Sequence, residues 1–233
     1  MVTDPERARP DGETLTLLAQ LAKCVLRLVL ISGRDTDLLW QRVPLKGVMF
    51  VGNHGLEERR HGTSRLIDAA QPFGPSLERA AVAVGTLAEV GTSGVRVERK
   101  RASVSVHFRD ANDPRTVGQA LEQVLRPLAD RVGLRLHGGR FVWELRPAIT
   151  MDKGEVLREL VRSLRPGGVI YVGDDVTDAD GFAALRSMGD LPTLAVGVRS
   201  TEVPVGTFKD CDLVLDGVPE VTQLLAALLV RCP

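Results

Sequence analysis

The chain has 233 residues, 44% of them hydrophobic and 26% charged, a balance typical of a folded globular protein long enough for one large domain or two small ones. Thirty Lys and Arg against thirty Asp and Glu leave a formal net charge of zero, so no overall field draws it to nucleic acid or an anionic membrane, and only a local basic pocket is open to it. The apolar stretch Val25 to Ile31 is interrupted by Arg27 and is far too short to span a bilayer. The charged start "MVTDPERARPDGE" lacks the apolar centre of a secretory signal, so the cytoplasm is the expected location. Cys24, Cys211 and Cys232 are odd in number and lack metal-ligand spacing, from which reduced thiols are expected rather than a disulfide framework or a zinc site.

In chain order, Asp11 is placed to cap a helix running to about Lys23, with Leu15, Leu18, Ala19 and Ala22 at helical spacing. "VLRLVLI" then reads as a strand that ends at Ser32-Gly33-Arg34, before a helical stretch from Asp35 to Arg42. "GVMFVGNHG" repeats the pattern, a buried strand ending in a loop of Gly52, Asn53, His54 and Gly55. Two strands with polar residues at their C-terminal ends suggest an α/β sheet, where ligands gather outside the carboxyl ends of the strands.

From about Gly62 to Arg146 the pattern changes. A helix around Ser76 to Glu89 leads into "GVRVERK" and "SVSVHFR", whose strict alternation is that of half-buried antiparallel strands. A helix from about Asp113 to Val132 follows, and then another alternating pair, "GLRLHGG" and "RFVWELRP". This ββαββ order implies an inserted α+β domain over 62–146, flanked by core segments 1–61 and 147–233. In the second core segment, Asp152 and Glu155 form a capping box for a helix to Leu164, and "GGVIYVGDD" is an apolar strand running into acids. Thr177 and Asp180 are placed to cap the next helix, and "TLAVGV", "DLVL" and an amphipathic helix near Val218 to Val230 complete the core.

The strongest chemical signal is the acidic group Asp174, Asp175 and Asp178 directly after "VIYV". Carboxylates crowded at a buried strand's end repel one another, and hard oxygen ligands of this kind suit Mg²⁺, which keeps water and substrate phosphate in its shell. One of them is also expected to cap the following helix. Ser32 lies between a strand and a helix, where hydroxyl and backbone N–H groups hold a phosphate oxygen or simply cap a turn. Lys153 stands in the first turn of its helix, an unfavourable place for a cation unless an anion is near. In the inserted segment Lys100, His107, Arg109 and Glu144 lie on or beside alternating strands, a polar face suited to a sugar phosphate or to water. Trp143 suits stacking on a sugar ring, but anchoring a core or interface is the commoner fate of such a ring.

"LISGR", "GNHG", "VERK", "VHFR", "WELRP", "MDKGEVLREL" and "YVGDDVTDADGFAAL", in this order and spacing, resemble the trehalose-6-phosphate phosphatases of the haloacid dehalogenase-like superfamily over nearly the whole chain. The resemblance implies an α/β fold, a Rossmann-like core with an inserted α+β cap, and hydrolysis of trehalose 6-phosphate to trehalose and phosphate with Mg²⁺. By position, it implies that Ser32 binds the transferring phosphoryl group, Lys153 neutralises its charge, Asp174 ligates Mg²⁺, and Asp178 orients the metal shell or Lys153. Arg34, Asn53, Lys100, Arg109 and Glu144 are then the expected substrate contacts. The expected partner is the small-molecule substrate, with a functional link to a trehalose-6-phosphate synthase, and neither nucleic acid nor membrane.

The sequence departs from this pattern in one respect. Enzymes of this superfamily begin with a strand ending in Asp-x-Asp, whose first aspartate attacks phosphorus and whose second acts as acid and base. No opening strand of this sequence ends in such a motif, and Asp4 and Asp11 follow no apolar strand. The first core strand, which would lie between "VLRLVLI" and "VIYV", is therefore expected to be absent from this sequence, and the chain by itself to be inactive. Three explanations stand at this point: a start assigned too late, a non-catalytic sugar-phosphate-binding or regulatory homologue, and a shifted sheet that closes the gap. A phosphatase of another sugar phosphate is a further alternative.

Overall fold

The computed structural model describes residues 9–89, 93–139, 141–200 and 203–232. Helix α1 (Gly12–Cys24) starts where the Asp11 carboxylate accepts from the Thr14 N–H at 2.7 Å, the cap expected from the sequence. Strand β1 (Leu28–Ile31) is shorter than "VLRLVLI" because Val25 still donates its N–H to Leu21 O and closes the helix. Helix α2 (Thr36–Arg42) is capped by Asp35, whose carboxylate accepts from the Leu38 N–H at 2.7 Å. Strand β2 (Val48–Gly52) is buried along its whole length and pairs in parallel with β1, Leu28 opposite Val48 through Ile31 opposite Val51.

Strands β3 (Glu57–Arg60) and β4 (Thr63–Leu66) make a hairpin that the sequence reading did not anticipate. Its two turn residues, His61 and Gly62, have φ of 50° and 85°, the left-handed pair that a type I′ turn requires. Charged strands with no apolar alternation hide such a hairpin from hydrophobic periodicity. Within it the chain passes between two compact units, one of Met1–Gly55, Arg59–Thr63 and Met151–Pro233, the other of Leu56–Glu58 and Ser64–Thr150.

The second unit is a sheet covered on one face by helices. Helices α3 (Gly74–Glu89) and α4 (Pro114–Val132) alternate with strands β5 (Arg96–Arg99), β6 (Val104–His107), β7 (Leu134–Gly139) and β8 (Val142–Pro147). The sheet is antiparallel throughout, in the order β5-β6-β8-β7. Leu77, Ala80 and Val84 of α3 and Leu125, Leu128, Ala129 and Val132 of α4 bury its apolar face with Val104, Val106, Leu134 and Leu145. Asp113 caps α4 through the Arg115 and Thr116 N–H groups, and Gly133 ends it at φ 73°. The Trp143 indole N–H donates to Gly118 O at 2.8 Å, so this ring anchors the sheet to α4.

The first unit resumes with helix α5 (Lys153–Leu164), strand β9 (Val169–Gly173), helix α6 (Ala179–Arg186), strands β10 (Thr193–Val198) and β11 (Leu213–Leu215), and helix α7 (Val218–Val230). Strands β9, β10 and β11 are parallel, in the order β11-β10-β9. Both β1 and β9 are edge strands of their own sheets, and no ladder joins them. Two clusters meet at this seam: Ile31 packs both with Met49, Val51 and Val156, and with Leu157, Tyr171 and Phe182. Val156 and Leu157 are neighbours on α5, so that helix supports both sheets. The apolar side chains of Ile170 and Val172 on β9 nevertheless remain 46% and 37% exposed, unusual for a parallel strand.

Two expectations are corrected. Cys24 and Cys232 are not free thiols: they form a disulfide with Cα atoms 5.9 Å apart, within the range such a bond spans. An odd cysteine count excludes complete pairing but not one pair plus one thiol, here Cys211. The turn before α6 is capped by Asp175 and Asp178 rather than by Thr177 and Asp180, because the chain first makes a single 3₁₀ turn over Val176–Asp178.

Leu145 is fully buried in the cluster between β8 and the helices. Leu145→Ala should cost about 2–5 kcal/mol, read as a lowered denaturant midpoint at unchanged slope; a change below about 1 kcal/mol would mean that this core is not packed as described.

Candidate functional site

The ends of β1 and β2 are joined by backbone hydrogen bonds. The Ser32 N–H donates to Val51 O at 2.9 Å, the Asn53 N–H to Arg34 O at 2.8 Å, and the His54 N–H to Ser32 O at 3.3 Å. Glycine permits this approach: a Cβ on Gly52 would lie 2.6 Å from Arg34 O, and one on Gly33 would lie 2.6 Å from the His54 ring. Asn53 and His54 take φ of 48° and 57°, and Gly55 follows at 98°. Ser32 is thereby fixed at the mouth of β1, its Oγ accepting from the Arg34 N–H at 3.2 Å. Asn53 is buried and Arg34 half-buried.

At the end of β9 the acidic run resolves into three different environments. Asp178 is buried, and its carboxylate collects four donors. Lys153 Nζ donates to Oδ1 at 2.6 Å and the Tyr171 hydroxyl to the same atom at 2.5 Å, while the Asp174 and Asp175 N–H groups donate to Oδ2 at 3.0 and 2.8 Å. Gly173 makes room, since a Cβ there would stand 2.4 Å from the Asp178 Cγ. Asp175 turns its carboxylate to the Val176 N–H and the Thr177 hydroxyl. Like Asp175, Asp174 is exposed at the strand end. Partial burial, then the neighbouring Asp178 charge, raise its pKa, while Lys153 pulls the other way. Burial, reinforced by Asp178, pushes the Tyr171 phenol up, so it stays protonated and keeps the proton it donates to Asp178.

Among the described residues no three His, Cys, Asp or Glu side chains converge as a metal cage. Asp174 suits Mg²⁺ in the way that ion is commonly held, through one or two carboxylates with substrate phosphate and water completing the shell. The crowding of acids that suggested a cation is relieved for Asp178 by Lys153 and Tyr171.

In the second unit the polar sheet face carries Glu98, Ser105, Glu144 and His137 side by side across four strands. Glu144 is buried, and accepts from Ser103 and Ser105 at 2.8 and 3.1 Å, from Lys100 at 3.4 Å and from Arg146 Nε at 2.6 Å. Burial alone would raise its pKa, but Arg146, Lys100 and the Ser103 hydroxyl outweigh this and bring it down to about 2. His107 pairs with Glu98 at 2.9 Å. Lys100 and Glu144 are thus brought together, whereas Arg109 lies beyond the end of β6, exposed, with its guanidinium 5.7 Å from the Phe141 ring centre. Ser103, Ser105 and Arg146 were missed as members of this group, although their spacing in "SVSVHFR" and "WELRP" puts them on the face of His107 and Glu144. Tyr171 was missed because it lies inside an apolar strand.

A Rossmann-like core and a separate α+β unit with a polar sheet face define the haloacid dehalogenase-like class of folds, and comparison with solved structures agrees. The chain aligns over 99% of its length with a trehalose-6-phosphate phosphatase related protein (TM-score 0.78, 19% identity, 92% of that chain). It aligns likewise with the C-terminal domain of the Candida albicans trehalose-6-phosphate phosphatase (TM-score 0.71, 22% identity, 99% of this chain and 87% of that one). The C-terminal domain of a Candida albicans trehalose synthase regulatory protein shares the fold too (TM-score 0.63, 16% identity, 91% and 86% of the two chains). The trehalose-phosphatase family model matches residues 1–209, and the chain belongs to that family. Curated trehalose-phosphate phosphatases from Mycobacterium marinum and Mycobacterium leprae are 39% and 36% identical to it over 87% of its length. The chain spans about half the length of these relatives, 51% and 48%. No described helix is long and apolar enough to cross a membrane.

Two outcomes test this chemistry. Glu144, with its folded pKa depressed to about 2, contributes stability that is complete above the unfolded carboxylate pKa of about 4.5 and is lost as pH falls towards 2. In Glu144→Gln the loss of stability between pH 5 and 2 should be shallower by about 3 kcal/mol, measured by denaturant titration at each pH; identical acid profiles would refute the network. Asp178→Ala leaves the Lys153 ammonium and two N–H groups without their acceptor, and should cost about 3–5 kcal/mol, read by the same method.

Proposed function

We propose that this chain is the phosphatase portion of a Mg²⁺-dependent enzyme that hydrolyses trehalose 6-phosphate to trehalose and phosphate. The observation that carries the reading is the Lys153–Asp178–Tyr171 network beside Asp174 at the end of β9, in a chain of the trehalose-phosphatase family. Phosphoryl transfer needs fixed cations and donors around three oxygens that carry developing charge. Lys153 supplies such a cation. Its ammonium has three N–H donors, Asp178 takes one, and the others can meet phosphoryl oxygens. Held by a carboxylate that the backbone also grips, it requires little reorganisation during the reaction. Ser32, with Oγ and N–H at a rigid strand end, would orient a second oxygen. Asp174 would hold Mg²⁺, which when bound neutralises charge on the phosphoryl group. Lys100 and Glu144, with Arg34, Asn53 and Arg109, are assigned to the sugar, for which the carboxylate and cations offer acceptors and donors.

The attacking carboxylate is assigned to a further strand lying between β1 and β9. Among the described carboxylates at the mouths of β1, β2 and β9, Asp35 caps α2, Asp175 and Asp178 are engaged as above, and Asp174 is the one assigned to Mg²⁺. The two unjoined edge strands, and the exposed Ile170 and Val172, support a missing neighbour there. On this reading the chain alone releases no phosphate. A protein extended upstream by an apolar strand ending in Asp-x-Asp should turn over trehalose 6-phosphate with Mg²⁺ and stop with chelator. Lys153→Ala should then lower kcat about 10²–10³-fold. Equal turnover of several sugar phosphates would remove trehalose 6-phosphate as the specific substrate, and phosphate release by the chain alone would remove the external carboxylate.

The fold shared with a regulatory protein's domain favours a second reading, a non-catalytic subunit that binds the same sugar phosphate and is linked to a synthase. It predicts binding of trehalose 6-phosphate by the folded chain without turnover; calorimetry that detects no heat would end it.

A further inference from the structure

We infer that the Cys24–Cys232 disulfide is a redox-sensitive clamp across the seam between the core's two sheets. The two cysteines lie 208 positions apart in sequence, one at the last residue of α1 and the other just beyond α7. The hydroxyls of Thr14 on α1 and Thr222 on α7 stand 3.5 Å apart, and the disulfide lies the same number of residues further along each helix. The helices are therefore a parallel pair, in contact near their starts and bonded at their ends.

Helix α1 packs on one sheet, and α7 follows the last strand of the other. The α1 side chains Leu15, Leu18 and Ala22 pack with Leu28 and Leu30 of β1 and Phe50 of β2. Helix α7 follows β11 after only Asp216 and Gly217, and the Asp216 N–H donates to Glu220 Oε2 in its first turn at 2.7 Å. The bond thus couples the sheet that ends in Ser32 to the sheet that ends in Asp174, two sheets that no strand ladder joins.

No residue of α7 is fully buried, and its apolar ends Val218 and Val230 are 64% and 83% exposed. One face, with Val221, Leu224, Leu225, Leu228 and Leu229, is half-buried; such a face gains less from the hydrophobic effect than a fully buried one, so the covalent link adds to what keeps the helix docked. Both cysteines are half-buried, within reach of small thiols. The third thiol does not compete: Cys211 packs beside Phe208, and burial together with Asp212 and Asp210 pushes its pKa up to about 11, which suppresses the thiolate that exchange needs.

The exchange balances with a low-molecular-weight disulfide as oxidant. The two thiols lose two electrons and two protons in forming the Sγ–Sγ bond, and the small disulfide is reduced to two thiols; an excess of dithiol reverses the reaction.

Intact protein equilibrated with glutathione disulfide should unfold at a Tm roughly 5 to 15 °C above the same protein in dithiothreitol, and re-oxidation should restore it. Hydrogen exchange should quicken on reduction in α1, α7, the strand β1 on which α1 packs and the strand β11 that leads into α7, leaving α3 and α4 unchanged. Cys24→Ser and Cys232→Ser should start at the lower Tm and not respond to reductant; where either fails to fold, the wild-type protein with and without reductant carries the test. The clamp is overturned by alkylation of both residues in the oxidised sample, by a Tm indifferent to reductant, or by exchange that quickens equally in α3 and α4.

Discussion

A carboxylate taken out of water must be met by donors on every open side, or its burial costs more than the fold can absorb. Asp178 meets that condition through donors from four residues: the Lys153 ammonium, the Tyr171 hydroxyl and two consecutive N–H groups. The consequences run outward from it. Gly173 is required by the space the carboxylate occupies, the chain must make a tight turn straight after β9 so that its N–H groups point inward, and α5 must begin where Lys153 can reach. A cation in the first turn of α5 opposes the helix dipole; the ion pair with a buried acid compensates.

The core's other constraint is that parallel strands need neighbours on both edges and cover on both faces. Strands β2 and β10 have them, and both are largely buried. Strands β1 and β9 each have one free edge, and the seam is supported from one side by α5 and at a distance by the α1–α7 pair. Ile31 is the one residue of β1 that packs with both halves of the core, and Ser32 follows it directly. The position of that serine relative to the Asp174 strand therefore depends on contacts weaker than a hydrogen-bonded ladder.

Most of the architecture was legible because the relevant signals are local. Asp11 and Asp152 each cap the helix that their positions suggested, and the alternation in "GVRVERK", "SVSVHFR" and "RFVWELRP" gave antiparallel strands. What escaped depended on long-range packing or on backbone angles. The β3–β4 hairpin rests on two left-handed residues between charged strands. The disulfide joins residues whose proximity only the folded chain creates. In the site, Lys153 and Asp178 were readable from the motif that surrounds them, but not the division of labour among the acids, in which Asp178 takes the ammonium and Asp175 the turn. Tyr171 carried no signal, because an apolar strand with one phenol reads as core until the acceptor for its hydroxyl is known.

The covalent link between Cys24 and Cys232 also changes the topology of the polypeptide. Everything from the end of α1 to the end of α7, including the whole α+β unit, lies inside one closed ring. A single peptide-bond cut anywhere in that ring leaves one molecule rather than two fragments, and the pieces stay tethered near their native partners. Damage to an exposed loop of the inserted unit is then a local event: the nicked chain keeps its mass and composition, and separates only when the sulfur–sulfur bond is opened.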